Sequence, residues 1–176
     1  MATLKITVVN GPTVVAQIGA YRKTVTEKST LRGLVRVAKK IQREAVNNIP
    51  YVPLDLGNLQ ASMFVTTKDG PITLAGMEDN PGFIGKAAGE MIVRHASVLG
   101  RSVALCKQSK SPMVILGHTA NYAVVVHEMG IRPPRHINWS KAGSGPKWLE
   151  IARNNVIKDA RQIMAKELKG GGERLV

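Results

Sequence analysis

The feature that most constrains this chain is the junction Ile49-Pro50-Tyr51-Val52-Pro53-Leu54-Asp55-Leu56-Gly57-Asn58-Leu59-Gln60-Ala61-Ser62, where a helical pattern meets a β pattern. Pro50 and Pro53 lack the N–H that a helix interior needs and push the residue before each towards extended geometry. A helix arriving along Lys28–Asn48 therefore has to stop by about Asn48. Asp55 offers a short acceptor side chain for nearby N–H groups, and Gly57 tolerates positive φ, so the two supply turn chemistry. Pro53, Asp55, Gly57, Leu59 and Ser62 mark a structural turn, and the same residues also read as an ordinary helix-to-strand connection.

Upstream of the turn, Ser29 or Thr30 can cap a helix whose apolar positions Leu31, Leu34, Val35, Ala38, Ile41, Ala45 and Ile49 recur at three- and four-residue steps. Its other face is cationic. Between Arg22 and Glu44 there are eight Lys or Arg against two acids, and Arg32, Arg36, Lys39, Lys40 and Arg43 are candidates for a face towards DNA phosphate or an acidic neighbour. A solvated helix surface is the plain alternative for such a run. Before it, Leu4-Lys5-Ile6-Thr7-Val8 alternates like a short strand and is closed by Asn10-Gly11-Pro12, while Thr13–Lys28 mixes helical spacing with Gly19 and three threonines.

Downstream, Ala61–Thr67 reads as a strand and Lys68-Asp69-Gly70-Pro71 as a turn. Residues 71–112 read as a long Gly-punctuated insertion, with Asp79-Asn80-Pro81-Gly82 as a turn, Ala87–Leu99 as helix or strand, and Ser102–Cys106 as strand-like. Pro112–Gly117 and Tyr122–Glu128 read as an antiparallel hairpin, and Ile131–Ser144 as an extended loop. Pro146 suits the first turn of a last helix with Trp148, Leu149, Ala152, Val156, Ala160, Ile163, Met164 and Leu168 on its buried stripe, closed by Gly170-Gly171-Gly172. The expected division is an N-terminal strand or arm over 1–28, one α+β domain over 29–168 carrying the insertion, and a loose tail over 169–176.

Length and composition narrow the chemistry. At 176 residues the chain is long enough for one real core, and its apolar content of 44% with only 4% aromatics makes that core aliphatic. The formal charge of +13 predicts attraction to polyanions or acidic partners and says nothing about fold. Cys106 is the single cysteine, so no internal disulfide forms, a zinc site is disfavoured and a reducing compartment is the default. No apolar run reaches the roughly 18–20 residues needed to span a bilayer, and Met1–Lys5 lacks a signal-peptide pattern. His95, His118, His127 and His136 form no complete ligand set, and the His127-Glu128 pair lacks the second histidine of a metalloprotease helix. Gly143-Ser144-Gly145-Pro146-Lys147 lacks the frame of a phosphate loop, and Asp55, Asp79 and Glu128 lie in different segments. No catalytic residues, metal ligands or cofactor-binding residues are expected, and hence no cofactor.

Three segments, in order, resemble a known family. Val52-Pro53-Leu54-Asp55-Leu56-Gly57-Asn58-Leu59-Gln60-Ala61-Ser62 is similar to a Pro-x-Asp-x-Gly-x-Leu-x-x-Ser turn. Asn121-Tyr122-Ala123-Val124-Val125-Val126-His127-Glu128-Met129-Gly130 is similar to a Tyr-Ala-x-x-x-His/Glu-x-Gly strand, with Tyr122, Ala123, His127 and Gly130 at its marked positions. Pro146-Lys147-Trp148-Leu149-Glu150 opens the last helix as an aromatic-Leu segment does. Together, over about Leu31–Leu168, they resemble the tail-completion or head–tail joining proteins of long-tailed bacteriophages, also labelled neck or minor tail proteins. Residues 71–112 and 132–144 are longer than that family's usual connections, so loops that choose a partner do not carry over.

The resemblance implies an α+β subunit with a small antiparallel sheet flanked by a long helix from the N-terminal half and a C-terminal helix, with long loops. It implies a non-enzymatic virion protein of the neck or tail, assembled in the host cytoplasm into a homo-oligomeric ring, hexameric in preference to dodecameric. The implied partners are head-completion, connector, tail-terminator or tail-tube proteins, with packaged DNA touched without sequence reading and no membrane. A possible donor strand at Leu4–Val8 agrees with this reading. The alternative from a different class is a basic, sequence-independent nucleic-acid-binding protein, motivated by charge and weakened by the scarcity of aromatics. A hydrolase using His127 and Glu128 is the remainder.

Overall fold

The computed structural model describes residues 11–53, 57–72, 82–86, 88–128 and 142–173. The fold is α+β: α1 (Gly11–Asn47), α2 (Asn58–Ala61), β1 (Met63–Thr67), β2 (Gly70–Pro71), α3 (Ala88–Gln108), β3 (Ile115–His118), α4 (Ala123–Glu128) and α5 (Trp148–Glu173). The strands form one antiparallel sheet in the order β2-β1-β3.

Helix α1 runs 37 residues, about 55 Å at about 1.5 Å per residue. It does not begin at Ser29, which is buried inside it, and it occupies 11–28 where a strand or arm was expected. Val14, Val15, Ile18 and Tyr21 keep helical spacing, and the cost of Gly19 and the threonines, each about 1 kcal/mol or less, does not stop a helix already nucleated. The strand expected at Leu4–Val8 lies outside the described residues.

The turn ends α1 as the prolines require. Helix ends at Asn47, the Ile49–Pro50 bond is cis, and Val52 N donates back to Ala45 O at 3.0 Å. Tyr51 then pairs with the segment before α5: Tyr51 N donates to Gly143 O at 3.0 Å. Gly57 has φ 76, a left-handed conformation that its lack of Cβ makes cheap, and α2 follows directly. Asp55 lies outside the described residues. Asn58, which sequence reasoning passed over, is buried and holds a distant segment in both directions: its Nδ2 donates to Ile84 O and its Oδ1 accepts from Ile84 N, both at 2.8 Å.

Strand β1 is buried at all five positions, so neither face of this continuous apolar and β-branched run is left to solvent; α3 and α1 both lie against it. Lys68 and Asp69 make the tight connection to β2, with Asp69 N donating to Thr67 Oγ1 at 3.2 Å. The core joins Ile41 and Ala45 of α1, Val52 of the turn, Leu59, Met63, Met91 of α3, Ala120, Ala123, and Trp148, Ala152 and Val156 of α5. Helices α1 and α5 lie antiparallel, since Gly33 faces Met164, Lys40 pairs with Asp159, and Asn155 Nδ2 donates to Glu44 Oε1 at 3.1 Å.

Several expectations are corrected. Tyr122–Glu128 is no strand: Asn121 and Tyr122 form a turn and Ala123–Glu128 is α4, so β3 pairs with β1 and no hairpin forms with 122–128. Burial explains it, because Ala123 is buried, Val126 and His127 are half-buried and Val124, Val125 and Glu128 are exposed, which is the one-sided spacing of a helix. Packing has overridden the strand preference of three valines. Ser102–Cys106 is likewise helical and belongs to α3, a 21-residue helix inside the expected insertion; Met91, His95, Ser102 and Cys106 recur on its buried side. Gly170-Gly171-Gly172 does not end α5, which continues to Glu173, as glycine weakens a helix without forbidding it. Pro146 precedes α5 instead of lying in its first turn: Ile151 N bonds Lys147 O at 2.9 Å, and Lys147, with φ 59, is the boundary residue.

Candidate functional site

The segments that carry the family resemblance meet at Trp148. This side chain, 1% exposed, opens α5 and meets His118 at the end of β3 and His127 of α4, with His118 in turn bonded to Leu59 of α2. Trp148 Nε1–H donates to His118 Nε2 at 3.1 Å. His118 Nδ1 lies 2.9 Å from Leu59 O and 3.2 Å from Ser62 Oγ, and Ser62 Oγ–H donates to Leu59 O at 2.7 Å. A carbonyl can only accept, so Nδ1 carries the proton and Nε2 is the acceptor for the indole. Both ring nitrogens of His118 are therefore engaged with the imidazole neutral. Burial pushes its pKa down to about 4, opposed by the bond to Leu59 O and aided by nearby His127.

The polar line continues on both sides. Thr119 N donates to Ser62 O at 2.9 Å, and His95 Nδ1 lies 2.8 Å from Thr119 Oγ1, which carries the line into α3. Burial lowers the pKa of His95, whose ring meets Phe83 edge-on at 5.8 Å. On the α5 side, His127 packs edge-on against the indole at 4.8 Å, and Lys147 N donates to His127 O at 3.0 Å. His127 Nδ1 lies 2.7 Å from Glu128 Oε1, while Lys147 Nζ bonds Glu128 Oε2 and lies 3.6 Å from Glu150. Lys147, then His127, holds the Glu128 carboxyl below its usual range, and Glu128 holds Lys147 above its own.

The structure thus brings together Leu59, Ser62, Ala123, His127, Trp148 and, from outside the expected set, His118. Pro53 is buried, Gly57 is the left-handed residue that precedes α2, Tyr122 lies at the exposed start of α4, and Leu149 packs at the edge of the core. Gly130 falls outside the described residues. His118 was missed because a lone histidine at a strand end carries no local signal; only the distant partners Leu59 and Trp148 give it a role. This arrangement locks three chain segments into one junction in which both ring nitrogens of His118 are engaged, while His127 Nε2 is buried with no partner among the described residues.

The cationic face of α1 is not where α1 alone would put it. Arg36 bonds Glu167 at 2.7 Å and Lys40 bonds Asp159, so two of its five members hold α5 in place. Arg32, Lys39 and Arg43 make no ion pair among the described residues. Cys106 is buried with Sγ 3.9 Å from Thr66 O, and burial pushes its thiol pKa up. Among the described residues no three His, Cys, Asp or Glu gather as metal ligands, and no helix is long and apolar enough to cross a membrane.

No family model, curated protein or solved structure matches this chain.

Proposed function

We propose that this chain is a non-enzymatic structural subunit of the head–tail junction of a long-tailed bacteriophage, joining tail to capsid connector as a homo-oligomeric ring. The observation that supports it most is the meeting of the resembling segments at Trp148. Residues far apart in sequence, Leu59 and Ser62, Ala123 and His127, and Trp148, share one buried junction, as expected if together they specify a subunit fold. The polar groups of Ser62, His118 and Trp148 satisfy one another, which suits a scaffold, while His127 Nε2 is buried with no partner among the described residues.

The surface outside the junction supports assembly. Val124 and Val125 of α4, 69% and 61% exposed beside the 38% exposed Tyr122, form an apolar patch of the kind that copies of a chain bury against one another. A hexameric ring in preference to a dodecamer, flanked by head-completion, connector, tail-terminator or tail-tube proteins, completes the reading. Immunogold labelling of particles from a phage that encodes this chain tests it. Label is expected at the head–tail junction, and its absence from particles, or its spread over the head, overturns the proposal.

A further inference from the structure

We infer that the outer ridge of α1, formed by Lys28, Arg32, Lys39 and Arg43, is a binding surface for the phosphate backbone of duplex DNA. The ridge follows from helical geometry: these residues are spaced four, seven and four apart, which keeps them on one side of α1 over about 22 Å. No Asp or Glu occurs between Lys28 and Arg43. The packing of α5 then sorts the cations of this stretch. Arg36 and Lys40 turn to Glu167 and Asp159, and the four ridge residues make no ion pair among the described residues. Lys28, Arg32 and Arg43 are exposed and Lys39 half-buried.

Lys166 of α5 extends this positive surface, since it lines an open hollow with Arg43, Asn47 and Asn48. Four carboxylates border the ridge: Glu27 beside Lys28, Asp69 at the β1–β2 turn, Glu167, held by Arg36, and Glu44 beside Arg43, which accepts from Asn155. What favours DNA over an acidic protein is the absence of an anchor. Protein interfaces are centred on buried apolar or aromatic side chains, yet none of the large exposed hydrophobic side chains of the described residues lies between Lys28 and Arg43. The apolar part of this surface is the half-buried Leu31, Val35 and Ile72 and the exposed Pro71 in the hollow beside Arg32 and Lys39, so attraction comes mainly from charge, and duplex DNA presents about one negative charge per 1.7 Å of its axis. Binding is then independent of base sequence, because phosphate contacts position without reading bases.

The ridge goes beyond the assembly proposal and does not need it. The test uses the full chain and fluorescent 24-base-pair duplexes of two unrelated sequences, titrated by anisotropy over a range of salt. Equal affinity for both is expected, with a log–log salt slope of roughly −3 to −4 or steeper for about four phosphate contacts. Lys28→Gln/Arg32→Gln/Lys39→Gln/Arg43→Gln is expected to flatten that slope by about three to four and to weaken binding at about 0.1 M salt by roughly a hundredfold or more. A control with the same charge change beside and on α3, Lys86→Gln/Arg94→Gln/Arg101→Gln/Lys107→Gln, is expected to change the slope by less than about one. Equal losses in both variants, or no duplex binding at low salt, overturn the inference. Binding of a poly-glutamate peptide at the ridge without duplex binding overturns it in favour of an acidic protein partner. Circular dichroism and solution mass, recorded on every variant, separate failure of the ridge from failure to fold or to assemble.

Discussion

Trp148→Ala is expected to destabilise the protein by about 3–5 kcal/mol, near the top of the range for core truncations. The indole is 1% exposed, and its removal leaves a void among α2, β3, α4 and α5 that rigid neighbours fill only in part. It also strands the acceptor nitrogen of His118, which receives the Trp148 N–H at 3.1 Å, and removes the edge-on contacts with His118 and His127 at 5.7 and 4.8 Å. Trp148→Phe keeps most of the volume and loses the donor, so a smaller cost of about 1–2 kcal/mol is expected. Urea denaturation followed by circular dichroism reads both. A loss under about 1 kcal/mol for the alanine variant would show that Trp148 does not hold these elements together.

Acid is the second large effect. His118 titrates near 6.5 when unfolded and at about 4 when folded, because burial disfavours the imidazolium. The unfolded chain therefore binds the extra proton in this interval, so stability is full above about pH 6.5, falls as pH drops, and levels off below about 4. The limiting slope is about 1.4 kcal/mol per pH unit and the total from His118 about 3 kcal/mol. His95, also lowered by burial, adds loss of the same sign. Glu128 acts lower, because its carboxyl is depressed below its ordinary value of 4.5 by Lys147 and then His127: its contribution is present above that value and is lost only as pH falls through the depressed one. Urea midpoints measured across the interval check this, and His118→Asn should remove most of the slope, because an amide can still bond Leu59 O without titrating. An unchanged slope in that variant would place the acid sensitivity elsewhere.

The parts legible in the sequence are those where one local signal decides. The end of α1 was readable because Pro50 and Pro53 leave a helix no alternative, and β1 because Met63–Thr67 is apolar and β-branched without a break. The overall α+β arrangement, with a small antiparallel sheet and two long helices, is the one that the resemblance implies. Where local preference and packing disagree, the sequence misleads. Val124-Val125-Val126 favours a strand in isolation, and its docking of Ala123 and His127 beside Trp148 makes it a helix. Helix α3 was obscured by Gly89, Gly100 and its serines, although Met91, His95, Ser102 and Cys106 mark its inner side once the fold is known. Partners far away in sequence were invisible: Asn58 is defined by Ile84, His118 by Leu59 and Trp148, and the pairing of Arg36 and Lys40 by acids on α5. That last point changes the cationic site itself, since a ridge of Lys28, Arg32, Lys39 and Arg43 replaces the face read from α1 alone.

On the proposed function, the chain is a building block whose outer surface is completed by copies of itself. Native mass spectrometry of the purified full chain, alone and mixed with the connector and tail-tube proteins that the proposed function gives it as neighbours, tests that most directly. A discrete closed species of about six or twelve copies is the predicted result, reached alone or on addition of a neighbour. A single-copy mass at every concentration and in every mixture would contradict it.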